Sequence, residues 1–296
     1  QLFYGSDSNA SDFQAPSTNY ENLNIQKSYI QSIEVAKEGR LVIRQVAQIK
    51  NSSSIGPIEV RYYLSPYDPN PGYKPLLSAR NFTRYGFFET NPTLTTAGTK
   101  QIQFLRWNPT TVMTYAISAN TPKEYKDAVR EGILYWNQVA GDEIIRAVDA
   151  PEGLTAPNPD YNIVQWVPYE MAGYAYADMQ ADPRTGEILD ADISIGDGWA
   201  RVPRLAAESY PAAPKAKAHS HFDGEEACTY ADAKLDELGL AVDALTLRND
   251  IDPDSPEAEA IVLATLKDVV THEVGHTLGL RHNFKASTIY TQADRK

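Results

Sequence analysis

Three histidines set a geometric condition that the fold of this chain has to meet. They lie in Thr271-His272-Glu273-Val274-Gly275-His276-Thr277-Leu278-Gly279-Leu280-Arg281-His282, which is H-E-x-x-H extended to H-E-x-x-H-x-x-G-x-x-H. On a helix, residues four apart are neighbours on one face, so His272 and His276 can offer two imidazole nitrogens to one zinc ion. Were the helix to continue, His282 would stand ~15 Å further along the axis than His272, at ~1.5 Å per residue. Zinc–nitrogen bonds are only ~2.0–2.1 Å long. The helix must therefore break and the chain must swing back. Gly279 sits where the break is needed, and glycine readily takes the positive φ of a helix-ending turn.

The same stretch points to chemistry. Three protein ligands leave a fourth position of a tetrahedral zinc site open, the mark of a catalytic rather than a structural site. Glu273 projects ~100° around the helix from His272, so it flanks the metal instead of competing as a ligand. That is where a general base must stand to take a proton from water. H-E-x-x-H arises by chance in roughly 1% of chains of this length, and adding Gly279 and His282 brings that to on the order of one in 10⁵. The rival account, an amphipathic core helix with incidental histidines, would also leave Glu273 packed toward the body at a cost and without a role.

The helix that carries the motif has a legible start. Ser255 is an N-cap residue, Pro256 suits the first helical position, and Glu257 and Glu259 favour the positive end of the helix dipole. The pattern predicts a helix from there to Leu278, stopping at Gly279. Upstream, residues 1–24 are polar and aperiodic and read as a loosely docked arm. Ser28 to Lys50 reads as a hairpin turning at Glu38-Gly39-Arg40, Ile58 to Leu64 as a strand, and Pro66 to Pro75 as a loop. Gly86-Phe87-Phe88 and Ile102 to Trp107 read as further strands.

The pattern changes near Asn108-Pro109, which divides a β-rich region, 25–108, from the remainder, 109–296. Val112 to Ile117 reads as a strand. Thr121-Pro122-Lys123-Glu124 predicts a helix start with Thr121 as N-cap, and Gly141 closes that helix. Strands follow at Ile144 to Val148 and Ile163 to Val167. Tyr174 to Met179 and Ile188 to Ile195 flank the turn Asp182-Pro-Arg-Thr-Gly186 and should pair antiparallel. Residues 196–254 form a long irregular insertion with a helix from Tyr230 to Leu247.

Composition excludes some functions. Lys plus Arg number 27 and Asp plus Glu 39, so the net charge is 27 − 39 = −12. Phosphate contacts need a basic footprint, so a nucleic-acid binder is excluded. No apolar run approaches the ~18 residues that suggest a membrane span. The single cysteine, Cys228, excludes an internal disulfide framework. A polar start rich in Ser, Asn and Asp, with abundant Tyr and Pro, is the composition expected of a mature exported chain.

At the active-site string the chain resembles the metzincin clan of zinc metallopeptidases. The longer stretch from His272 to Ser287 is similar to the large exported bacterial zinc-dependent metalloprotease family, whose members carry a β-rich N-terminal domain before the catalytic domain. Arg84-Tyr-Gly-Phe-Phe88 and Arg106-Trp107 resemble that N-terminal domain. Met113-Thr-Tyr, Glu131-Gly-Ile-Leu-Tyr-Trp-Asn137 and Asp182-Pro-Arg-Thr-Gly-Glu-Ile-Leu189 resemble the catalytic domain. The likeness spans roughly residues 80 to 290.

The resemblance implies an α+β protein: a β-rich N-terminal region, then a metzincin-like upper subdomain with a mixed, mostly parallel five-stranded sheet and two long helices. It implies one catalytic zinc on His272, His276 and His282, Glu273 as general base, and an endopeptidase acting on protein or peptide substrates. Tyr174–Met179 would be the edge strand over the cleft, with Ala175, Tyr176 and Ala177 meeting an extended substrate. Metzincins place a methionine-containing turn beneath the zinc. Here no methionine follows Met179, so that turn is expected on a C-terminal remainder or a second chain. A zinc-containing binding or adhesion module, catalytically silent or latent, is the alternative reading.

Weaker signals have plainer readings. His219 and His221 could bind a second metal, but no carboxylate cluster surrounds them. Asp250-Ile-Asp252-Pro-Asp254 fails as an EF-hand, because Ser255 replaces the needed Gly and Ile261 the bidentate Glu. A looser Ca2+ site and a negative cap for the following helix both stay open there. Cys228 could be an inhibitory zinc ligand or a lone thiol. Asn9, Asn51 and Asn81 begin glycosylation triplets of a kind common by chance.

Overall fold

The computed structural model describes residues 24–36, 39–50, 55–66, 72–78, 86–168, 175–200, 230–248, 250–252 and 255–282. Among them, contacts separate a first unit, up to residue 66, from a second that begins at Gly72.

In the first unit, alternating apolar residues give a three-stranded antiparallel meander of β1 (Asn24–Val35), β2 (Leu41–Lys50) and β3 (Ile55–Leu64). Ile33, Ile43 and Tyr62 stand in register on one face, as do Val35, Leu41 and Leu64. The other face carries charge: Glu59 bonds Arg44 at 2.9 Å and Arg61 at 2.5 Å. The two guanidinium groups hold the Glu59 carboxyl below its ordinary range.

The second unit is built on a five-stranded sheet. Its strands are β6 (Met113–Ile117), β7 (Ile145–Asp149), β8 (Asn162–Val167), β9 (Ala175–Ala181) and β10 (Ile188–Gly196), in the order β7-β6-β8-β10-β9. All neighbours run parallel except β9, which pairs antiparallel with β10 and forms the edge. Helix α1 (Lys123–Ala140) returns the chain from β6 to β7, as a parallel pair requires. Helices α2 (Tyr230–Leu247) and α3 (Pro256–Thr277) complete the layer against the sheet. One core holds Tyr115, Ile117, Ile193 and Ile195 from strands, Val129 and Ile133 from α1, Leu238 and Val242 from α2, and Leu266 and Val270 from α3. The architecture is α+β with a mostly parallel five-stranded sheet, and the insertion helix joins the two long ones in its core.

Three expectations need adjustment. The start of α1 is flanked by Pro122 without a side-chain cap. Thr121 is buried, and its hydroxyl meets that of Ser118 at 3.0 Å instead. Ser118 Oγ also accepts the Trp166 N–H at 2.8 Å, so this pair ties the β6–α1 turn to β8. Gly86–Phe88 and Ile102–Trp107 are not ladder strands. They form single bridges to different partners: Leu77 with Gln103, Glu89 with Phe104, Phe87 with Leu280 and Arg106 with Glu187. Between them lies a two-stranded hairpin of β4 (Thr93–Leu94) and β5 (Lys100–Gln101). Finally, the contacts divide the described chain between residues 66 and 72, well before Asn108, because residues 86–107 bond to the sheet and to the end of α3. The arm at 1–23, residues 201–229 of the insertion and the residues after His282 lie outside the described residues. Among the described residues no helix is long and apolar enough to cross a membrane.

Candidate metal centre

The site is placed by the buried stripe of α3. Ala258, Val262, Leu266, Val269 and Val270 are buried at helical spacing, and the next positions on that stripe are Glu273, Val274 and Thr277. Glu273 is therefore fully buried, 0% exposed, by its place in the repeat. Neither of its carboxylate oxygens has a hydrogen-bond partner among the described residues. Burial pushes Glu273 up to about 8, against a smaller opposing pull from the backbone N–H of Ala177 on the edge strand.

One position before and three after, His272 and His276 emerge on the adjoining face. Their rings meet edge-on, with centroids 4.6 Å apart. His282 closes the group, its Nε2 lying 3.1 Å from that of His272. One ligand atom from each of the three lies within 4.8 Å of the others, and among the described residues no other group of His, Cys, Asp or Glu does this. His276 Nδ1 donates to the Leu280 carbonyl at 2.7 Å. That bond fixes the tautomer and leaves Nε2 as the lone-pair atom, buried and unpartnered. Burial first, and then the neighbouring rings, holds His272 down to about 3. His276 falls to about 4, chiefly through burial, with the Leu280 bond opposing. Neutral imidazoles with converging lone pairs are the donor set zinc takes, so the residues fit that ion.

The turn that delivers His282 is built as the spacing requires. The Leu280 N–H bonds the Gly275 carbonyl at 3.1 Å and the Gly279 N–H bonds that of His276 at 2.8 Å, a Schellman closure with Gly279 at φ 91°. A chain of backbone bonds then holds the turn from far upstream. Phe88 N–H donates to the Gly279 carbonyl at 2.8 Å, and Arg281 N–H to that of Gly86 at 2.7 Å. Leu105 N–H donates to Phe88 at 2.8 Å, and Arg106 N–H to Gly186 at 3.0 Å. The segment at 104–105 is pressed between two glycines. A Cβ on Gly279 would stand 2.2 Å from the Leu105 carbonyl oxygen, and one on Gly186 2.3 Å from that of Phe104. The Asp182–Gly186 turn and the metal-binding turn thus abut one strip of backbone.

Three further groups steady the end of α3. Trp136 Nε1 donates to the Thr271 carbonyl at 2.9 Å and Trp107 Nε1 to the Thr277 carbonyl at 2.7 Å. Thr277 Oγ1 donates to the Val274 carbonyl at 2.8 Å, so the buried Tyr115 hydroxyl, 2.7 Å away, donates to Thr277.

Of the remaining sequence candidates, Ala175, Tyr176 and Ala177 lie on β9, the sheet edge. Ala175 and Ala177 pack with the helix-side core and Tyr176 faces the other way, pairing in register with Ser194. That opposite face carries Asp190 and Asp192, pushed up to about 7 and about 8 by burial first and then by neighbouring carboxylates. Asp250 is paired with Arg248 at 2.7 Å and joins no ligand group among the described residues, and Asp254 lies outside them. His219, His221, Cys228 and the triplets at Asn9, Asn51 and Asn81 lie outside the described residues.

Sequence reasoning missed Tyr230, whose ring stacks on that of His272 at 3.9 Å and 3°. It also missed the role of Gly86 and Phe88; the Phe88 ring stands 5.8 Å from that of His276. Nothing local marks Tyr230, whereas Arg84–Phe88 stood out only by resemblance.

No curated protein and no solved structure matches the chain. Residues 254–296 match the model of a family described as Met-zincin. That matched segment is the one whose three histidines, His272, His276 and His282, the structure gathers as a zinc motif of this kind demands.

Proposed function

We propose that this protein is a zinc-dependent endopeptidase. One observation carries the reading: a fully buried glutamate with unpartnered oxygens stands beside three imidazoles whose ligand atoms lie within 4.8 Å of one another. Zinc on His272, His276 and His282 would polarise the scissile carbonyl and lower the pKa of a water toward ~7. The chain's own residues do the rest. Glu273 takes the water's proton on a carboxylate oxygen and returns it to the leaving amine. The Leu280 carbonyl holds His276 in the tautomer that presents Nε2. An extended peptide adds antiparallel along β9, the edge of the sheet among the described residues. Ala175 and Ala177 stand two apart on β9, so by the period of two their backbone N–H groups point to the same side of the strand.

The test is digestion of a peptide library by the full-length protein, wild type beside Glu273→Ala and Ala175→Pro, with zinc content measured in each. Wild type should cleave. Glu273→Ala should keep zinc and lose about 10²–10⁴-fold in kcat/KM. Ala175→Pro should keep zinc and cleave more slowly, because proline removes an N–H from the edge. Equal turnover by Glu273→Ala would remove the glutamate from the chemistry. Zinc in every sample with cleavage in none would identify a silent or latent binding module.

A further inference from the structure

We propose that Tyr230 is a positioning residue for His272: it fixes the plane of the first metal-binding imidazole from outside the metal motif. The inference rests on reading the triad as a metal site. Tyr230 opens α2, 42 positions before His272. Its ring lies parallel to the imidazole, with centroids 3.9 Å apart and planes 3° from parallel. The tyrosine is itself held. Its hydroxyl donates to Asp268 Oδ2 at 2.5 Å, and Asp268 stands one turn before His272 on α3. Lys234, one turn along α2, lies 5.5 Å from the centre of the tyrosine ring and 3.9 Å from the same carboxylate. Asp268, Tyr230 and His272 therefore form a bracket between two helices that pack in one core.

The physics of such a bracket concerns the metal. An imidazole ligand must point its lone pair within a narrow cone, and a free ring rotates about χ2 over a broad, shallow range. A flat surface at van der Waals distance removes that rotation before the ion arrives, so less ordering is left for binding to supply. Coordination also draws electron density out of the imidazole. A phenol whose proton is shared with a carboxylate is an electron-rich partner for a ring so depleted. The outer groups that orient metal ligands typically set affinity within about 10–100-fold.

Zinc affinity, read by competition with a chromophoric chelator and without any substrate, tests this. Tyr230→Leu keeps bulk and apolar character but loses the flat ring, and should weaken zinc about 10–100-fold. Tyr230→Phe and Asp268→Ala break the same anchoring bond. Each should weaken zinc about tenfold, and the double variant no further. The visible spectrum of the Co2+ form should change in Tyr230→Leu, a signature that general loosening of the fold would not give. Asp268 is half-exposed, so Asp268→Ala keeps the test available if Tyr230→Leu fails to fold. Wild-type affinity and an unchanged Co2+ spectrum in Tyr230→Leu, or wild-type affinity in Asp268→Ala, would overturn the proposal. A wild-type protein that binds zinc and cleaves nothing removes the peptidase reading and leaves this one standing. One that binds no zinc overturns both.

Discussion

The two halves of α3 are one helix made by different means. From Pro256 to Leu266 the helix is self-sufficient: Ser255 accepts the Ala258 N–H at 3.2 Å, and Ala258, Val262 and Leu266 bury an ordinary apolar stripe. From Val270 to Thr277 the stripe stays buried but turns polar, with Glu273 and Thr277 both at 0% exposure. Here the backbone carbonyls of Thr271 and Thr277 are taken by tryptophans more than 130 positions upstream. The first half needs only a surface to cover. The second buries groups that cost free energy unless particular partners meet them, so its geometry is dictated from elsewhere in the chain. A site that must hold three nitrogens in place gains from that dependence, because the partners leave few alternatives.

The sharpest break in the comparison is Gly279→Ala. The glycine has φ 91°, and an added Cβ would sit 2.2 Å from the Leu105 carbonyl oxygen, which is backbone and cannot step aside. Left-handed strain and the clash together should cost about 3–5 kcal/mol. The turn that bears His282 would shift with it. Chemical denaturation should show the loss of stability, and the variant should take up zinc far more weakly than wild type. Wild-type zinc uptake in a folded Gly279→Ala protein would show that the third histidine does not depend on this turn.

Thr277→Val tests the polar half more gently. Valine keeps the shape but leaves the Tyr115 hydroxyl, buried at 0% exposure, without its partner. The expected cost is about 1–3 kcal/mol. Adding Tyr115→Phe removes the orphaned hydroxyl and should restore part of the loss, so the double variant is more stable than the sum of the singles. Strict additivity by urea denaturation would mean the two hydroxyls are not coupled.

The self-sufficient half was also the legible half. Cap residues placed the helix from Ser255 close to its observed bounds, and alternation about the Asp182–Gly186 turn did the same for the β9–β10 hairpin, because these signals are local. The insertion helix Tyr230–Leu247 also lies at its expected bounds. The motif named the three histidines that the structure gathers and demanded the break at Gly279, since no continuous helix can bring His282 back. What holds that break was not legible. Gly86–Phe88 and Phe104–Arg106 make single bridges in turn to different neighbours, which leaves no repeating pattern for a sequence to display. Thr121 read as a helix cap because its position is right. The structure spends its hydroxyl on Ser118, a contact that depends on β8 lying alongside. Tyr230 is invisible for the same reason, as its meaning lies wholly in where α2 docks.

The smallest expected effect sharpens the contrast from the other side. Ser255→Ala removes the oxygen that accepts the Ala258 N–H and leaves a helix whose Pro256, Glu257 and Glu259 still favour initiation. The loss should be about 1 kcal/mol, the usual value for a single cap. More telling than the size is the reach. Fraying confined to the first turn lies more than three turns from His272, at ~3.6 residues per turn. Zinc affinity should therefore match wild type while thermal stability falls slightly, whereas Thr277→Val should lower both. If Ser255→Ala weakened zinc as much as Thr277→Val at equal loss of stability, the two halves would be one cooperative unit. The site would then depend on the stability of the whole helix and not on the partners gathered at its end.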